Sequence, residues 1–269
     1  MTIIDTHAHL DHLDNLDEAL QNARESGVAG IVAVGVDLAA NKKNLEIQKN
    51  TTSPQIHVAL GIHPGNINPP QINECLQFIR EHIPEAIAIG ETGLDYWYKW
   101  VKKDEAKKEE QRDIFQRQLA LAREFDLPVV IHSRGAWRDC LEMTKAAGVK
   151  KAVFHWYSGP LDVLAEIIAA GYYVGTTPSL ATSPQSREAI GHAPLERILI
   201  ETDCPVFFQD LLTFSARSDE QVNRGFKSQP KDVFRTLKAY AQLKNIDEQK
   251  ALAVFNQNAR DFFNIIGEG

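Results

Sequence analysis

Short apolar runs alternate with longer amphipathic segments along the chain, and this alternation constrains the fold more than any other feature of the sequence. Continuous apolar runs are typical of parallel strands that are buried on both faces. The runs are Ile3–Asp5, Gly30–Val34, His57–Leu60, Ala86–Ile89, Pro128–Ile131, Ala152–Phe154, Tyr172–Gly175 and Arg197–Ile200. The pattern therefore predicts a parallel sheet whose strands are connected by helices.

The segments between the runs have helical periodicity. Gly27 and Gly148 follow two of them, at the position where a glycine commonly ends a helix. The predicted helices include Asn15–Ser26, Leu38–Asn50, Gln71–His82, Glu109–Phe125 and Ala136–Ala147, with Pro230–Leu243 and Asp247–Ile265 at the end of the chain.

Eight strands with helical crossovers predict a single (β/α)8 TIM barrel, an α/β fold, over residues 1–269. Such barrels typically have about 250 residues, and this chain has 269. A doubly wound open sheet is the main alternative. No GxGxxG or GxxxxGK[ST] motif follows a strand, which argues against the common nucleotide-binding sites. Two long loops are predicted, the lysine- and aromatic-rich Tyr96–Lys108 and the mixed-charge Val206–Lys227.

The charge balance limits the possible functions. The chain has 29 basic and 36 acidic side chains and a net charge of −7. This argues against a protein that coats long nucleic acid, but not against an enzyme that holds a strand end through a metal. Cys75, Cys140 and Cys204 form no CxxC pair, so we expect reduced thiols and a cytoplasmic location. We expect no signal peptide, no membrane segment and no obligate protein partner.

Histidines and acidic residues occur where the predicted strands end. His7 and His9 are two residues apart after the first run, so strand alternation places both on one side. The other such residues are His63, Glu91, His132, His155 and Asp203. The carboxyl ends of barrel strands meet at one mouth, where such folds hold their active site. The sequence therefore predicts a metal site at this mouth.

The donor types indicate which ions fit. Nitrogen and carboxylate donors without thiolate suit zinc, manganese or magnesium. The donors are too many for one tetrahedral zinc with an open position. Two divalent ions per chain that share a carboxylate are the simpler interpretation. The remaining histidines fall away from the predicted mouth, and we expect structural roles for His12, His57, His82 and His192.

Six motifs, in their order and spacing, resemble those of the TatD family of metal-dependent hydrolases, which are amidohydrolase-like barrels. They are DTHAHL at 5–10, GIHP at 61–64, GETGLD at 90–95, HSR at 132–134, HWYSG at 155–159 and ETDCP at 201–205. The resemblance implies the metal ligands His7, His9, Glu91, His132, His155 and Asp203, with Glu91 as the bridge and His63 lining the site. The chain departs from the family at Tyr157, where Phe is common, and in lacking the family's basic Arg-Asn stretch after Pro205.

Together, the residues and the resemblance predict a metal-dependent hydrolase, with a deoxyribonuclease (a phosphoesterase) as the leading interpretation. Glu91 and Asp203 are the predicted catalytic residues, because Glu91 would hold both ions and Asp203 would take a proton from the attacking water. Arg134 and His63 are the predicted substrate-binding residues, and Arg134 would bind a phosphate. Cys204 has no adjacent base in the sequence, so we do not expect a thiol nucleophile.

Two other functions remain open at this point. A carbonyl hydrolase (an amidase, a lactonase or an aminoacyl-ester or tRNA deacylase) would use the same metals. A non-catalytic metal-binding protein is disfavoured because no ligand of the set is missing. The expected substrate is a small molecule or a nucleic-acid end. The lysines and aromatic residues of loop 96–108 would either provide charge and stacking near the mouth or form a solvated loop with packed rings.

Three further acidic residues are expected near the ligands. Asp5 and Glu201 each lie two residues before a site residue, and Asp95 lies shortly after Glu91. Each is expected either to accept an N–H bond from a ligand imidazole or to satisfy ordinary strand-end backbone groups.

Overall fold

Each of the eight predicted runs forms a parallel strand. The structure is a computed structural model that describes residues 2–209 and 225–265. The strands are β1 (Ile3–Ala8), β2 (Val28–Val34), β3 (Gln55–Leu60), β4 (Ala88–Gly93), β5 (Val129–His132), β6 (Ala152–Phe154), β7 (Tyr173–Thr176) and β8 (Ile198–Ile200). Each strand pairs with the next one in sequence, whereas a doubly wound sheet reverses its order at a switch point.

Hydrogen bonds between the first and last strands close the sheet. The Thr6 hydroxyl donates to the carbonyl of Ile200 at 2.9 Å, and Ala8 forms a parallel bridge with Cys204. Nearer the mouth, the N–H of Asp203 donates to the carbonyl of His7 at 2.9 Å. The fold is therefore the predicted (β/α)8 TIM barrel, and the open-sheet alternative is wrong.

Helices surround the barrel, and several of them begin at a residue whose side chain accepts a backbone N–H of the first turn. They are α1 (Leu16–Ser26), α2 (Leu38–Asn50), α3 (Ile72–Glu81), α4 (Glu105–Glu124), α5 (Trp137–Ala147), α6 (Leu161–Ala169), α7 (Pro184–His192), α8 (Val233–Lys244) and α9 (Glu248–Phe263). Gly27 and Gly148 end α1 and α5 in the left-handed conformation, as predicted. Helix α4 begins at Glu105 and not at the predicted Glu109, because the Asp104 side chain caps it by accepting the N–H of Lys107.

Two buried clusters form the core. The larger cluster lies between the strands and the helices. The smaller one joins residues of seven strands to the last turns of α9, and its members include Ile4, Val32, Ala59, Ala88, Val130, Val153, Leu199 and Phe262. Tyr173 of β7 packs against it, so side chains of all eight strands meet there and this cluster fills the barrel interior. The interior is thus packed, and the polar strand ends remain at one mouth.

The segment Val206–Lys227, predicted as a loop, contains two short strands. β9 (Phe207–Gln209) pairs antiparallel with β10 (Gly225–Lys227). The rest of that segment, residues 210–224, lies outside the described residues. Among the helices that the structure describes, none combines the length and the apolar composition needed to cross a membrane.

Candidate metal centre

The predicted ligands lie at the carboxyl ends of five strands. His7 is the penultimate residue of β1, Glu91 is in β4, and His132 ends β5. His9, His155 and Asp203 follow β1, β6 and β8. The pairing register is irregular between Asp5 and Ala8 and between Ile89 and Thr92, the stretches that hold His7 and Glu91. Such irregularities re-aim side chains beside active sites.

One set of donor atoms surrounds one carboxylate oxygen of Glu91. The Oε2 atom of Glu91 lies 3.5 Å from Nε2 of His7 and 3.5 Å from Nε2 of His9. The Oδ1 atom of Asp203 lies 3.3 Å from the same atom of His7 and 3.2 Å from that of His9. Two imidazoles and two carboxylates therefore lie close enough together to bind one metal ion.

A second set surrounds the other oxygen of Glu91. The Oε1 atom lies 2.9 Å from Nδ1 of His132 and 2.9 Å from Nε2 of His155. These two nitrogens are 3.3 Å apart. The Nε2 atom of His63 is 3.6 Å from the same oxygen. Each oxygen of Glu91 thus serves a separate group of donors, which is the arrangement that a bridging carboxylate requires.

The first set of donors fits a divalent cation by its spacing, and two of its members, His7 and Asp203, lack other partners for their donor atoms within the described part of the chain. Tetrahedral ligands with bonds of about 2.0–2.2 Å are about 3.3–3.6 Å apart, close to the 3.2–3.5 Å separations of the first set. His7 is fully buried, and neither of its ring nitrogens makes a hydrogen bond to a described residue. The buried Oδ1 of Asp203 is also without a hydrogen-bond partner in the described chain. Such orphaned groups are costly unless a ligand satisfies them.

The charges within the cluster shift the pKa values of its members in the direction opposite to that of burial. Burial alone raises the pKa of a carboxyl group, but the surrounding histidines hold the pKa of Glu91 well below its usual range. The pKa of Asp203 is lowered against burial in the same way, chiefly by His7 and His9. Burial lowers the pKa of His7, yet the carboxylates of Asp203 and Glu91 outweigh it and raise that pKa to about 9. Both carboxylates therefore stay ionised as donors.

Asp95 connects this cluster to its surroundings. Its Oδ2 atom lies 2.8 Å from Nε2 of His132 and accepts a 2.8 Å hydrogen bond from Nε of Arg134. Its Oδ1 atom accepts the backbone N–H groups of Trp97 and Tyr98. The side chain is fully buried. One carboxylate thus orients an imidazole, a guanidinium group and the start of the aromatic loop.

The other two acidic neighbours behave differently. Glu201 approaches Nδ1 of His155 at 3.5 Å and accepts the N–H of Trp156 at 2.7 Å. Asp5 contacts no ligand imidazole; it accepts bonds from the N–H and hydroxyl of Thr202 and from the backbone N–H of His7. Of the two roles expected for Asp5, the structure therefore shows the second, which is to satisfy groups at the strand ends. The reason is that β1 and the end of β8 lie side by side, and their backbone groups need an acceptor.

His63 has a fixed hydrogen-bonding role at the mouth. Its Nδ1 atom accepts the N–H of Gly65 at 2.9 Å, so the proton of the neutral ring is on Nε2, which faces Glu91. Burial lowers the pKa of His63 to about 3, against the attraction of Glu91. The ring is therefore neutral, and Nε2–H is a donor directed at the cluster.

His12 does not lie away from the mouth as predicted. Its ring stacks on His9 at 5.5 Å between centroids, its Nε2 atom is 3.3 Å from Oδ2 of Asp11, and it lines the cavity. A short 3₁₀ turn at residues 10–12 carries it back over the mouth, which strand alternation does not predict. His82 and His192 have the expected structural contacts, each with a backbone carbonyl of its own helix.

A cavity of about 630 Å³ opens over the donors. Its lining includes His9, His63, Glu91, His132, Arg134, His155 and Asp203, together with the aromatic residues Trp97, Tyr98, Trp137 and Trp156. Sequence reasoning missed Trp137 and Trp156. Their positions shortly after β5 and β6 were the signal that could have identified them, because residues there face the mouth.

The lysines of loop 96–108 do not reach this cavity. Lys107 and Lys108 lie in α4 and pair with Glu110 and Glu105. Lys99, Lys102 and Lys103 are exposed and are not among the residues that line it. Trp97 and Tyr98 of the loop line the cavity, whereas its lysines do not. Cys204 is fully buried and burial raises the pKa of its thiol well above the usual range, which agrees with the absence of a thiol nucleophile.

Comparison with known proteins agrees with this architecture. The family model described as TatD related DNase matches residues 4–264. The human protein named deoxyribonuclease TATDN3 is 29% identical, over 97% of this chain and 94% of its own. A Bacillus subtilis protein named uncharacterized metal-dependent hydrolase YabD is 29% identical, over 98% of this chain and 99% of its own. The solved structure of YJJV, a TatD homolog from Escherichia coli K12, has a TM-score of 0.81 at 25% identity and covers 98% of each chain. Because the family model spans nearly the whole sequence, the chain belongs to the TatD family of metal-dependent hydrolases.

Proposed function

We propose that this protein is a deoxyribonuclease that hydrolyses phosphodiester bonds at the ends of single-stranded DNA with two divalent metal ions. The observation that carries this proposal is the link from Arg134 through Asp95 to His132. Asp95 bonds Nε of Arg134 and Nε2 of His132 through the same oxygen, at 2.8 Å each. A guanidinium group held beside a metal ligand is suited to a substrate phosphate.

The geometry of Arg134 supports this role. Only Nε is used by Asp95, and the two terminal nitrogens make no hydrogen bond to a described residue. The guanidinium lies over the ring of Tyr98, 5.1 Å from its centroid, and the side chain is 46% exposed. Asp95 and Tyr98 therefore position the guanidinium group, while its terminal nitrogens remain available to bind an anion in the cavity.

The names of relatives point the same way. The human relative is named a deoxyribonuclease, and the matching family model is described as TatD related DNase. The match over residues 4–264 also supports the proposal that residues 1–269 form one catalytic domain. The three cysteines are unpaired and buried, which supports the expected cytoplasmic location.

The described residues indicate how two ions would be held. His7, His9 and Asp203 would hold one, His132 and His155 would hold the other, and Glu91 would contribute one oxygen to each. The imidazole-rich donor set favours zinc over magnesium, and the two carboxylates are compatible with manganese. Two bound cations would lower the pKa of a water molecule and neutralise charge on the phosphoryl oxygens.

The chain's own groups would do the remaining work. Oδ1 of Asp203 faces His7 and His9, while Oδ2 makes no hydrogen bond or ion pair to a described residue. We assign Oδ2 as the acceptor for the proton of the attacking water. Arg134 would hold the non-bridging oxygens of the phosphate, and Nε2–H of His63 would donate to the same group.

The test uses purified protein that is stripped with a chelator and reloaded with Zn²⁺ or Mn²⁺. Single-stranded oligonucleotides labelled at either end are the substrates, and denaturing gels show the products. We expect stepwise shortening from one end. Arg134→Ala should raise KM by about tenfold or more, the loss of a charge-assisted hydrogen bond. Arg138→Ala is the matched control, because Arg138 is 43% exposed but pairs with Asp162 and Glu166 on the outer helices.

The carbonyl-hydrolase alternative is decided by the same screen. Aminoacyl esters, lactones and amides are offered to the same metal-loaded protein. Turnover of these compounds, with the oligonucleotides left intact, would replace the nuclease proposal with the carbonyl one. A small neutral ester has no phosphate for Arg134, so in that case Arg134→Ala should change KM little.

A further inference from the structure

The cavity has a tryptophan wall beside the candidate metal centre. Three of the chain's four tryptophans line it: Trp97, Trp137 and Trp156. Trp97 is 57% exposed, although large aromatic side chains are usually buried in part by packing. The exposed face of Trp97 therefore remains available within the same cavity as Arg134 and the donor cluster.

Contacts on several sides position Trp97 despite this exposure. Its ring meets the ring of Trp137 edge-on, with centroids 5.8 Å apart and planes at 86°. Its backbone N–H donates to Asp95 at 2.9 Å. It lies directly on Gly135, where an added Cβ would come within 2.2 Å of its ring. A side chain at residue 135 would displace the indole.

Trp137 is seated in the same manner. It lies on Gly159, where an added Cβ would be 2.8 Å from three of its ring atoms. Two perpendicular rings, each resting on a glycine, form a corner whose geometry does not depend on a ligand. Pre-formed aromatic faces lose little entropy when a flat partner binds.

The groups around the two tryptophans indicate which kind of ligand would bind there. Asp95 binds the backbone of Trp97 through one oxygen and the side chain of Arg134 through the other, so an aromatic face and a phosphate-binding cation are fixed to one carboxylate. A nucleotide is the substrate unit that pairs a flat ring with a phosphate. The lysines of the loop lie outside the cavity, so contacts with a long backbone are not provided here.

Resting on the proposed nuclease function, we propose that Trp97 and Trp137 form a stacking subsite for one unpaired nucleobase next to the scissile phosphate. A base can enter the corner only when it is not stacked in a duplex, so the subsite selects single-stranded or frayed ends. Base–aromatic stacking is tolerant of sequence because every base has a π face. The subsite therefore selects for an unpaired base and not for a particular base.

The test compares a thymidine tetranucleotide with two versions that carry an abasic nucleotide at the 3′ or the 5′ end. All three have the same phosphates, so only the base differs. For wild type, we expect one abasic version to have a KM about 5- to 150-fold higher, the range that stacking of one base gives. Trp97→Leu should raise KM for the intact probe to the abasic value and leave kcat within about twofold. Trp97→Phe should retain most of the discrimination.

Trp100→Leu is the matched control. Trp100 lies in the same loop and is 47% exposed, but it stacks on Tyr98 and is not among the residues that line the cavity. It should leave both KM values unchanged. Urea denaturation of each variant checks folding. As a readout independent of turnover, the indole N–H signal of Trp97 in ¹⁵N-labelled, metal-free protein should shift on addition of the intact probe and not of that abasic version.

The outcomes separate the two proposals. If wild type cleaves the intact and abasic probes with equal KM, or if Trp97→Leu and Trp100→Leu behave alike, the stacking subsite is wrong and the aromatic corner is structural packing only. If wild type cleaves none of the probes under any metal, the nuclease proposal itself fails.

Discussion

The backbone N–H of Asp203 donates a hydrogen bond to the carbonyl of His7 at 2.9 Å, although the two residues come from opposite ends of the barrel sequence. The N–H of His9 likewise donates to the carbonyl of Cys204 at 2.8 Å. These bonds belong to the closure between β1 and β8. The closure of the barrel therefore places Asp203 beside His7 and His9, three of the four members of the first donor set.

Asp203→Asn should reduce kcat by on the order of 10²-fold or more, because an amide neither accepts a proton at this position nor carries the negative charge of the ligand. Asp203 has a φ of 51°, and Asn tolerates the left-handed region, so the backbone bond to His7 should persist. Cys204→Ser, at the adjacent buried position, should leave kcat within about threefold while costing about 1–3 kcal/mol of stability for a buried hydroxyl. Steady-state kinetics and urea denaturation measure both, and the reverse ranking of kcat would indicate a thiol mechanism.

Glu91→Gln should abolish tight binding at both proposed metal positions, because each oxygen of Glu91 serves one donor set and a neutral amide bridges cations poorly. Elemental analysis after dialysis should show two equivalents in wild type, near zero in Glu91→Gln and one in His132→Ala. The control is Glu124→Gln, since Glu124 pairs with Arg80 on the surface. One tightly held equivalent that neither Glu91→Gln nor His132→Ala changes would refute the paired site.

Asp95→Asn should weaken metal binding by about 10- to 100-fold without removing a ligand, the usual effect of losing a carboxylate that orients a ligand imidazole. It should also raise KM for a phosphodiester, because Arg134 loses its partner. Competition with a chelating dye measures the affinity. Asp162→Asn, at an exposed residue that pairs with Arg138, should change neither quantity. Equal metal affinity in Asp95→Asn and wild type would exclude this orienting role.

Gln118→Ala should destabilise the fold by about 2–4 kcal/mol, because it leaves buried backbone groups unpaired. The fully buried Gln118 amide accepts the N–H of Ile62 at 2.7 Å and donates to the carbonyl of the same residue at 3.0 Å. These bonds fasten α4 to the segment that carries His63. Gln116→Ala, on the exposed face of the same helix, should cost less than about 0.5 kcal/mol. Urea denaturation compares the two variants, and equal losses would contradict the assignment.

Much of the fold follows from local pattern. The apolar runs that begin at Gly30 and Ala152 are buried on both faces of a parallel sheet, and that burial is the reason they are continuously apolar. Glycines such as Gly27 mark helix ends because they adopt the left-handed conformation there. The sequence alone also shows which residues could be metal donors and that they occur at the strand ends. A metal site at the mouth could therefore be predicted without coordinates.

The sequence by itself thus determined a barrel with nitrogen and carboxylate donors at one mouth, because strand burial and residue chemistry are local properties. Only the tertiary structure decided which oxygen of Glu91 faces which histidines, since irregular pairing in β1 and β4 re-aims the side chains there. It also decided that Asp95 serves His132 while Asp5 serves Thr202, and that Trp137 meets Trp97 at the mouth. These contacts join residues that are distant in sequence, and their partners are set by how strands and loops pack and not by any local pattern.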